Sequence, residues 1–488
     1  MGPPRLTRRS LLAAGAGALG ALGRAPRALA RAAPGGSALA EERLGLLAPG
    51  LRTVALGHSA DLLALEWQGP ARAHVELRFR CPDGGWSPWA LAGAQGHEDL
   101  AGPDAARNLG EPIWAGGTRA VQLRSAHALA GASLHVIDVG AGAARRASRS
   151  SPPAVLAAAP LAQPVLAAGP GQPPIIARGY WARGECPPSR APAYGAVEVA
   201  FVHHTQSPNG YASAEVPAML RAIYLFHRHV RGWHDIGYNF VIDRFGRAFE
   251  ARAGGIDESV IGAHAGGYNQ YSTGVAVLGS FMGAPISPAA RATLESLLAW
   301  KLSLHGVPVS GRVPVQVDPA GAAFSKYPAG SEVSLPRIAG HRDADTTDCP
   351  GNVLYHELSA IRVRALALSG RPVQAAIALQ SAPVPALPGA PPVGATQLFG
   401  TLTLLDGTPL GGQTVLVQAR SVSRRGQTVL ERPLAQVQTG PEGQWTLQAG
   451  PPAAHGLWLR AFYGGSGPYG AAVSEAILAP FAPAVPAP

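Results

Sequence analysis

Val197-Glu198-Val199-Ala200-Phe201-Val202-His203-His204 reads as a buried strand that runs into two adjacent imidazoles. The segments that follow alternate in type. Val216, Met219, Leu220, Ile223 and Phe226 fall at helical spacing on one face. Tyr238-Asn239-Phe240-Val241-Ile242-Asp243 is a strand ending at the turn Arg244-Phe245-Gly246, and Gly274-Val275-Ala276-Val277-Leu278-Gly279 is a second buried strand. Ser287-Pro288 caps a helix through Leu294, Leu297, Leu298 and Leu304, with Gly306 as its stop. Strands alternating with helices predict a central α/β domain, a mixed sheet flanked by helices, over residues 175–370.

Outward from this core the pattern changes. Residues 51–140 hold short period-two segments such as Ala73-His74-Val75-Glu76-Leu77-Arg78-Phe79, which predict a β-sandwich. Its Gly85-Trp86-Ser87-Pro88-Trp89 offers either a sugar-stacking surface or edge packing. Residues 397–480 alternate again, with turns at Asp406-Gly407 and Gly440-Pro441-Glu442-Gly443, and predict an immunoglobulin-like β-sandwich. Residues 141–174 and 371–396 are Ala/Pro-rich linkers. A chain of 488 residues fits this multidomain reading, at roughly 150 residues per domain.

Residues 1–30 read as an export signal. Thr7-Arg8-Arg9 precedes an apolar stretch from Leu11 to Leu22, and Ala28-Leu29-Ala30 supplies a small-residue cleavage site. The paired arginines resemble the twin-arginine signal that exports folded proteins. No later segment has the roughly 20 apolar residues of a membrane span, so the mature protein is expected to be secreted or wall-associated, without a transmembrane segment. The net charge is +10, carried by arginine apart from Lys301 and Lys326. It is compatible with genome composition or with an anionic polymer as partner. No basic helix and no interleaving of basic and aromatic residues points to nucleic acid.

Metal-ligating residue types collect at two places: His203-His204, and Gly340-His341-Arg342-Asp343 followed by Thr346-Thr347-Asp348-Cys349-Pro350-Gly351. Seven residues lie between His341 and Cys349, enough for a loop to return both side chains to one point. Two imidazoles and a thiolate meet the needs of a catalytic zinc with one open position. A histidine at a strand end or a lone cysteine is also ordinary packing, so the residues by themselves leave both readings open. Cys81 and Cys186 are either bridged or free thiols.

The motifs resemble, in order, those of the peptidoglycan recognition protein family, also called the amidase type 2 family. They are Phe201-Val202-His203-His204-Thr205, Gly232-Trp233-His234-Asp235-Ile236-Gly237-Tyr238-Asn239-Phe240, Phe249-Glu250-Ala251-Arg252, Gly262-Ala263-His264-Ala265-Gly266-Gly267-Tyr268-Asn269, Ser272-Thr273-Gly274-Val275, Gly340-His341-Arg342-Asp343 and Cys349-Pro350-Gly351. The flanking β modules and signal also look like exported actinobacterial members. Two departures stand out. Tyr180-Trp181-Ala182 replaces the usual Trp-Gly-Ala, and Thr347 stands where phage members carry a catalytic lysine. The resemblance implies a zinc-dependent N-acetylmuramoyl-L-alanine amidase acting on the glycan strand and stem peptide of peptidoglycan, and the chain is expected to be a monomer. It implies His203, His341 and Cys349 as zinc ligands and Tyr238 and Thr347 as catalytic groups. His204 falls to packing behind the ligands or to the substrate side, where Arg252, His264, Tyr268 and Asn269 are candidates unless they only pack a glycine-rich turn. A non-catalytic peptidoglycan-binding module is the alternative, typical where the zinc cysteine is lost, and a purely structural wall tether is another.

Overall fold

The computed structural model describes residues 31–32, 37–69, 73–93, 107–140, 165–166, 172–369, 375–383, 396–422, 429–449, 457–465, 469 and 472–478. The expected signal at 1–30 and most of both linkers lie outside the described residues.

Strands β1 (Ala38–Leu47), β2 (Gly50–Gln68), β3 (Val75–Phe79), β4 (Ile113–Ser125) and β5 (Leu129–Asp138) pair antiparallel in the order β1-β5-β2-β4-β3. The sheet therefore takes in β1, ahead of the expected start at residue 51. Its strands are hydrogen-bonded in one continuous series. The register against β4 shifts between Ala55, Ala60 and Leu62, and such irregularities bend a strand and raise its twist. The bent sheet shares one core of Leu47, Leu63, Trp67, Leu77, Leu123 and Leu134. Trp86 and Trp89 are clasped by arginines of its outer face. The Arg78 and Arg124 guanidiniums each lie 4.5 Å from the Trp89 ring, and Arg80 lies 5.3 Å from that of Trp86.

The central domain contains β6 (Ile175–Ile176), α1 (Arg178–Ala182), β7 (Val199–His204), α2 (Val216–Leu225), β8 (Phe240–Ile242), β9 (Ala248–Glu250), β10 (Ser272–Val277), α3 (Pro288–Leu304), β11 (Arg312–Gln316), β12 (Glu332–Pro336), β13 (Ile338–Gly340) and α4 (Asn352–Ser369). Its mixed sheet runs β13-β7-β10-β8-β9-β6, with β7 parallel to both β13 and β10, and β8 antiparallel to β9. Ser287 caps α3 by accepting from the Ala290 amide (3.1 Å), and Gly306 follows the helix at φ +69°, a conformation that ends helices. Helices α3 and α4 bury Leu294, Leu298, Leu354 and Leu358 against one side of the sheet. Helix α2 lies on the other side and is buried at nine of its ten residues. The periodicity predicted one apolar face only. The remainder is covered because Leu62, Ala64, Trp114 and Ile137 of the N-terminal sheet join the same core.

Strands β14 (Thr396–Leu404) and β17 (Gln444–Ala449) form one C-terminal sheet with two short strands, and β15 (Thr414–Val422), β16 (Val429–Gln438) and β18 (Leu457–Tyr463) belong to a second. The two share a core of Leu398, Val417, Trp445, Leu459 and Tyr463. Leu416 and Phe462 turn instead into the core under α3 and α4. Of the two alternatives for Cys81 and Cys186, the described residues show no disulfide: Cys81 packs on the N-terminal core and Cys186 on the core under α2. Among the described residues no helix is long and apolar enough to cross a membrane.

Candidate metal centre

The register of β7 against β13 explains how distant residues meet. Val202 pairs with Gly340 in a parallel ladder, so the next residues, His203 and His341, emerge side by side at the carboxyl edge of the sheet. Their rings are 4.6 Å apart. Alternation along β7 separates the paired histidines. His203 shares the face of Phe201 and Tyr268, whereas His204 shares that of Ala200 and Val202 and accepts from the Phe281 amide through Nδ1 (3.4 Å). After His341 a short 3-10 turn is closed by the Asp343 carboxylate, which accepts from Gly340 N (2.9 Å) and from the Tyr355 hydroxyl. The chain then returns Cys349.

One ligand atom from each of His203, His341 and Cys349 lies within 4.8 Å of the others, and all three residues are buried. His203 Nδ1 is 3.6 Å from Cys349 Sγ, close to the about 3.6 Å between N and S donors on one tetrahedral zinc. Each imidazole is backed on its other nitrogen. His203 Nε2 meets His264 Nδ1 at 3.2 Å, and His341 Nε2 meets Asp345 Oδ2 at 2.8 Å. Such partners fix ring orientation and tune the donor. Asp345 is the residue the sequence reading missed. It is one of three aspartates between His341 and Cys349, with Asp343 and Asp348, and only its i+4 position from His341 marks it.

The electrostatics fit a cation. Burial pushes the Cys349 thiol up and, with Lys326 adding to it, His341 down to about 3. Burial also raises the Asp345 carboxyl above its ordinary value. Two imidazoles and a thiol whose charged forms burial disfavours are a set that a divalent ion would stabilise as neutral nitrogens and thiolate.

The remaining sequence candidates take these places. Tyr238 is buried, 5.4 Å ring to ring from His203, and burial raises its hydroxyl well above 10. Thr347 accepts from the Cys349 amide (3.1 Å). His264 and Tyr268 are each 1% exposed: His264 is wedged so tightly that a Cβ on Gly274 would come within 2.4 Å of its ring, and the Tyr268 hydroxyl bonds Ser325 (2.8 Å). Asn269 accepts from His264 N (2.8 Å) and Ala265 N (3.0 Å). Arg252 is half-buried and donates to Ile236 O (3.0 Å). His264, Tyr268 and Asn269 thus pack around the His203–His341–Cys349 cluster.

Fold and site together define a class: an α/β domain that gathers two imidazoles and one thiol, close enough to hold one metal ion, at the carboxyl edge of its sheet. Residues 193–352 match the N-acetylmuramoyl-L-alanine amidase family, and this domain belongs to it. Residues 32–155 match the family described as Rv3811 N-terminal galactose-binding domain-like. Similar proteins include peptidoglycan-recognition protein SC2 of Drosophila melanogaster, 28% identical over 184 residues, which are 38% of this chain and 84% of the relative. The N-acetylmuramoyl-L-alanine amidase of Mus musculus is 30% identical over 194 residues, 38% of this chain and 31% of that protein. Among solved structures, wild-type Drosophila PGRP-LB shows 26% identity over 38% of this chain and 92% of its own, with a TM-score of 0.29.

Proposed function

We propose that the chain is a zinc-dependent N-acetylmuramoyl-L-alanine amidase, exported through its first 30 residues and acting as a monomer on the wall outside the cytoplasm. The substrate bond joins the lactyl carbonyl of N-acetylmuramic acid to the nitrogen of L-alanine. The convergence of His203, His341 and Cys349 on one point carries the reading. The C-terminal two-sheet module is read as immunoglobulin-like.

His203 and His341, each through Nδ1, and Cys349 Sγ would hold the ion. When bound, zinc would supply a Lewis acid and make hydroxide available near neutral pH. Asp345 and His264 hold the two imidazoles in orientation. Burial keeps the Tyr238 hydroxyl protonated, so it serves as a donor to the oxyanion that develops on the substrate carbonyl, a contribution on the order of 3 kcal/mol. Thr347, whose oxygen already accepts from Cys349 N, still carries a hydroxyl proton to donate there.

The test is release of free muramic-acid glycan and L-Ala-headed peptide from purified peptidoglycan, with and without zinc, beside Cys349→Ser. Zinc-dependent release that the variant loses is expected. Binding without cleavage by a verified zinc-loaded chain would replace this reading with that of a recognition module.

A further inference from the structure

The family match begins at residue 193, yet a carboxylate from outside it is buried beside the site. Glu111 precedes β4 of the N-terminal sheet and is 2% exposed. It accepts from Arg231 Nη2 at 2.9 Å, and the two side chains are 3% and 1% exposed. Arg231 directly follows the π-helical turn Phe226–Val230, a kind of turn concentrated at functional sites. From Arg231 a series of contacts leads to the metal ligands. Its guanidinium lies 5.3 Å from the rings of Phe226 and Trp233. The Trp233 ring is 4.6 Å from that of His227. His227 Nδ1 accepts from the Gly237 amide (3.1 Å), the residue before Tyr238, and its ring stands edge-on to Tyr238 at 5.7 Å. Tyr238 in turn faces His203.

We propose that the N-terminal module is part of the catalytic unit: Glu111, by pairing with Arg231, positions the segment that carries Tyr238 at the site. This rests on the amidase reading above. Glu111 is a positioning residue, acting through Arg231, Trp233 and His227. An arginine buried without its counter-charge is strongly unfavourable, so the pair pins the end of the π turn and the loop that returns from it. Docking itself does not depend on the pair alone. Leu62, Trp114 and Ile137 pack on the core under α2, and Trp114 Nε1 donates to Glu215 (3.2 Å).

The test compares full-length wild type with Glu111→Gln, which keeps the shape and one acceptor but removes the charge. Two readouts are taken: steady-state cleavage of peptidoglycan, and backbone hydrogen exchange in the metal-free chain. Glu111→Gln is expected to lower kcat about tenfold with KM nearly unchanged, as loss of a transition-state contact does. In a Tyr238→Phe background the same change should cost less than about twofold, because groups acting through one another are not additive. Exchange should rise across residues 226–240 while the α2 seam at 216–225 stays protected. Unchanged kcat and exchange, or losses that multiply fully with Tyr238→Phe, would overturn the proposal. Exposure of the α2 seam in Glu111→Gln would overturn it too, by showing that the pair only holds the module on. If wild type binds peptidoglycan without cutting it, the amidase reading fails, and exchange over residues 226–240 alone then decides whether Glu111 holds the Tyr238 segment.

Discussion

At the seam with the N-terminal sheet the central domain contributes the cation, Arg231, and receives Glu111; at the seam with the C-terminal sheets it contributes the carboxylates, Asp257 and Glu258, and receives Arg460. The Glu111–Arg231 and Asp257–Arg460 pairs are buried, Glu258 is partly exposed, and both seams are framed by apolar contacts, Trp114 and Leu62 on the core under α2, Leu416 and Phe462 on the core under α3 and α4. The two cores lie on opposite sides of the central sheet. What differs is what each seam leans on. Arg231 leads through Trp233 and His227 to Tyr238, whereas the Asp257–Glu258 loop is tied to Lys301 of α3, whose Nζ donates to the Ile256 and Glu258 carbonyls. Similar fastenings therefore have different reach. A buried ion pair informs on function only through the element it immobilises.

The comparison can be broken or sharpened in several ways. The largest effect is expected at the metal centre itself. Cys349→Ser should lower amidase turnover by at least about 10³-fold and abolish stoichiometric zinc by metal analysis, with hydrogen exchange at both seams unaltered. Arg460→Met should separate the seams. It strands Asp257 and Glu258 and is expected to cost about 3 kcal/mol in denaturant unfolding, while kcat of the folded protein stays within about twofold of wild type. A matching loss of kcat would show that the C-terminal seam also reaches the site. Asp345→Asn should weaken zinc by about 10–100-fold in chelator competition, since it removes the acceptor that orients His341. The smallest effect is on pH dependence. Burial, helped by Lys301, holds His305 down at about 3 from an ordinary 6.5. The unfolded chain then binds more protons between those values, so the stability this group contributes is complete above about 6.5 and falls as pH drops toward 3. His305→Gln should flatten that part of the stability–pH curve.

Much of this was legible in the residues. The alternation of strand and helix gave the central mixed sheet, and Ser287-Pro288 and Gly306 delimited α3 closely. Period-two segments announced both flanking β modules, but not that β1 belongs to the first or that its strands stay in one sheet. Whether a strand bends or a new sheet begins depends on register shifts such as that near Ala60, which side-chain periodicity does not record. The motifs also carried the ligand trio, while His264 and Asn269 read equally well as groove or packing. Burial at 1% and the tight fit against Gly274 place His264 behind His203.

The sequence by itself determined the donor chemistry: two imidazoles and a thiol, with a tyrosine and a threonine near them in the motifs. Tertiary structure alone decided which aspartate backs His341, and that Glu111 stands behind Tyr238. The physical reason is that these depend on which way strand faces point and which modules dock. Parallel pairing of β7 with β13 brings residues 203 and 341 together, and apolar burial of α2 brings residue 111 to residue 231.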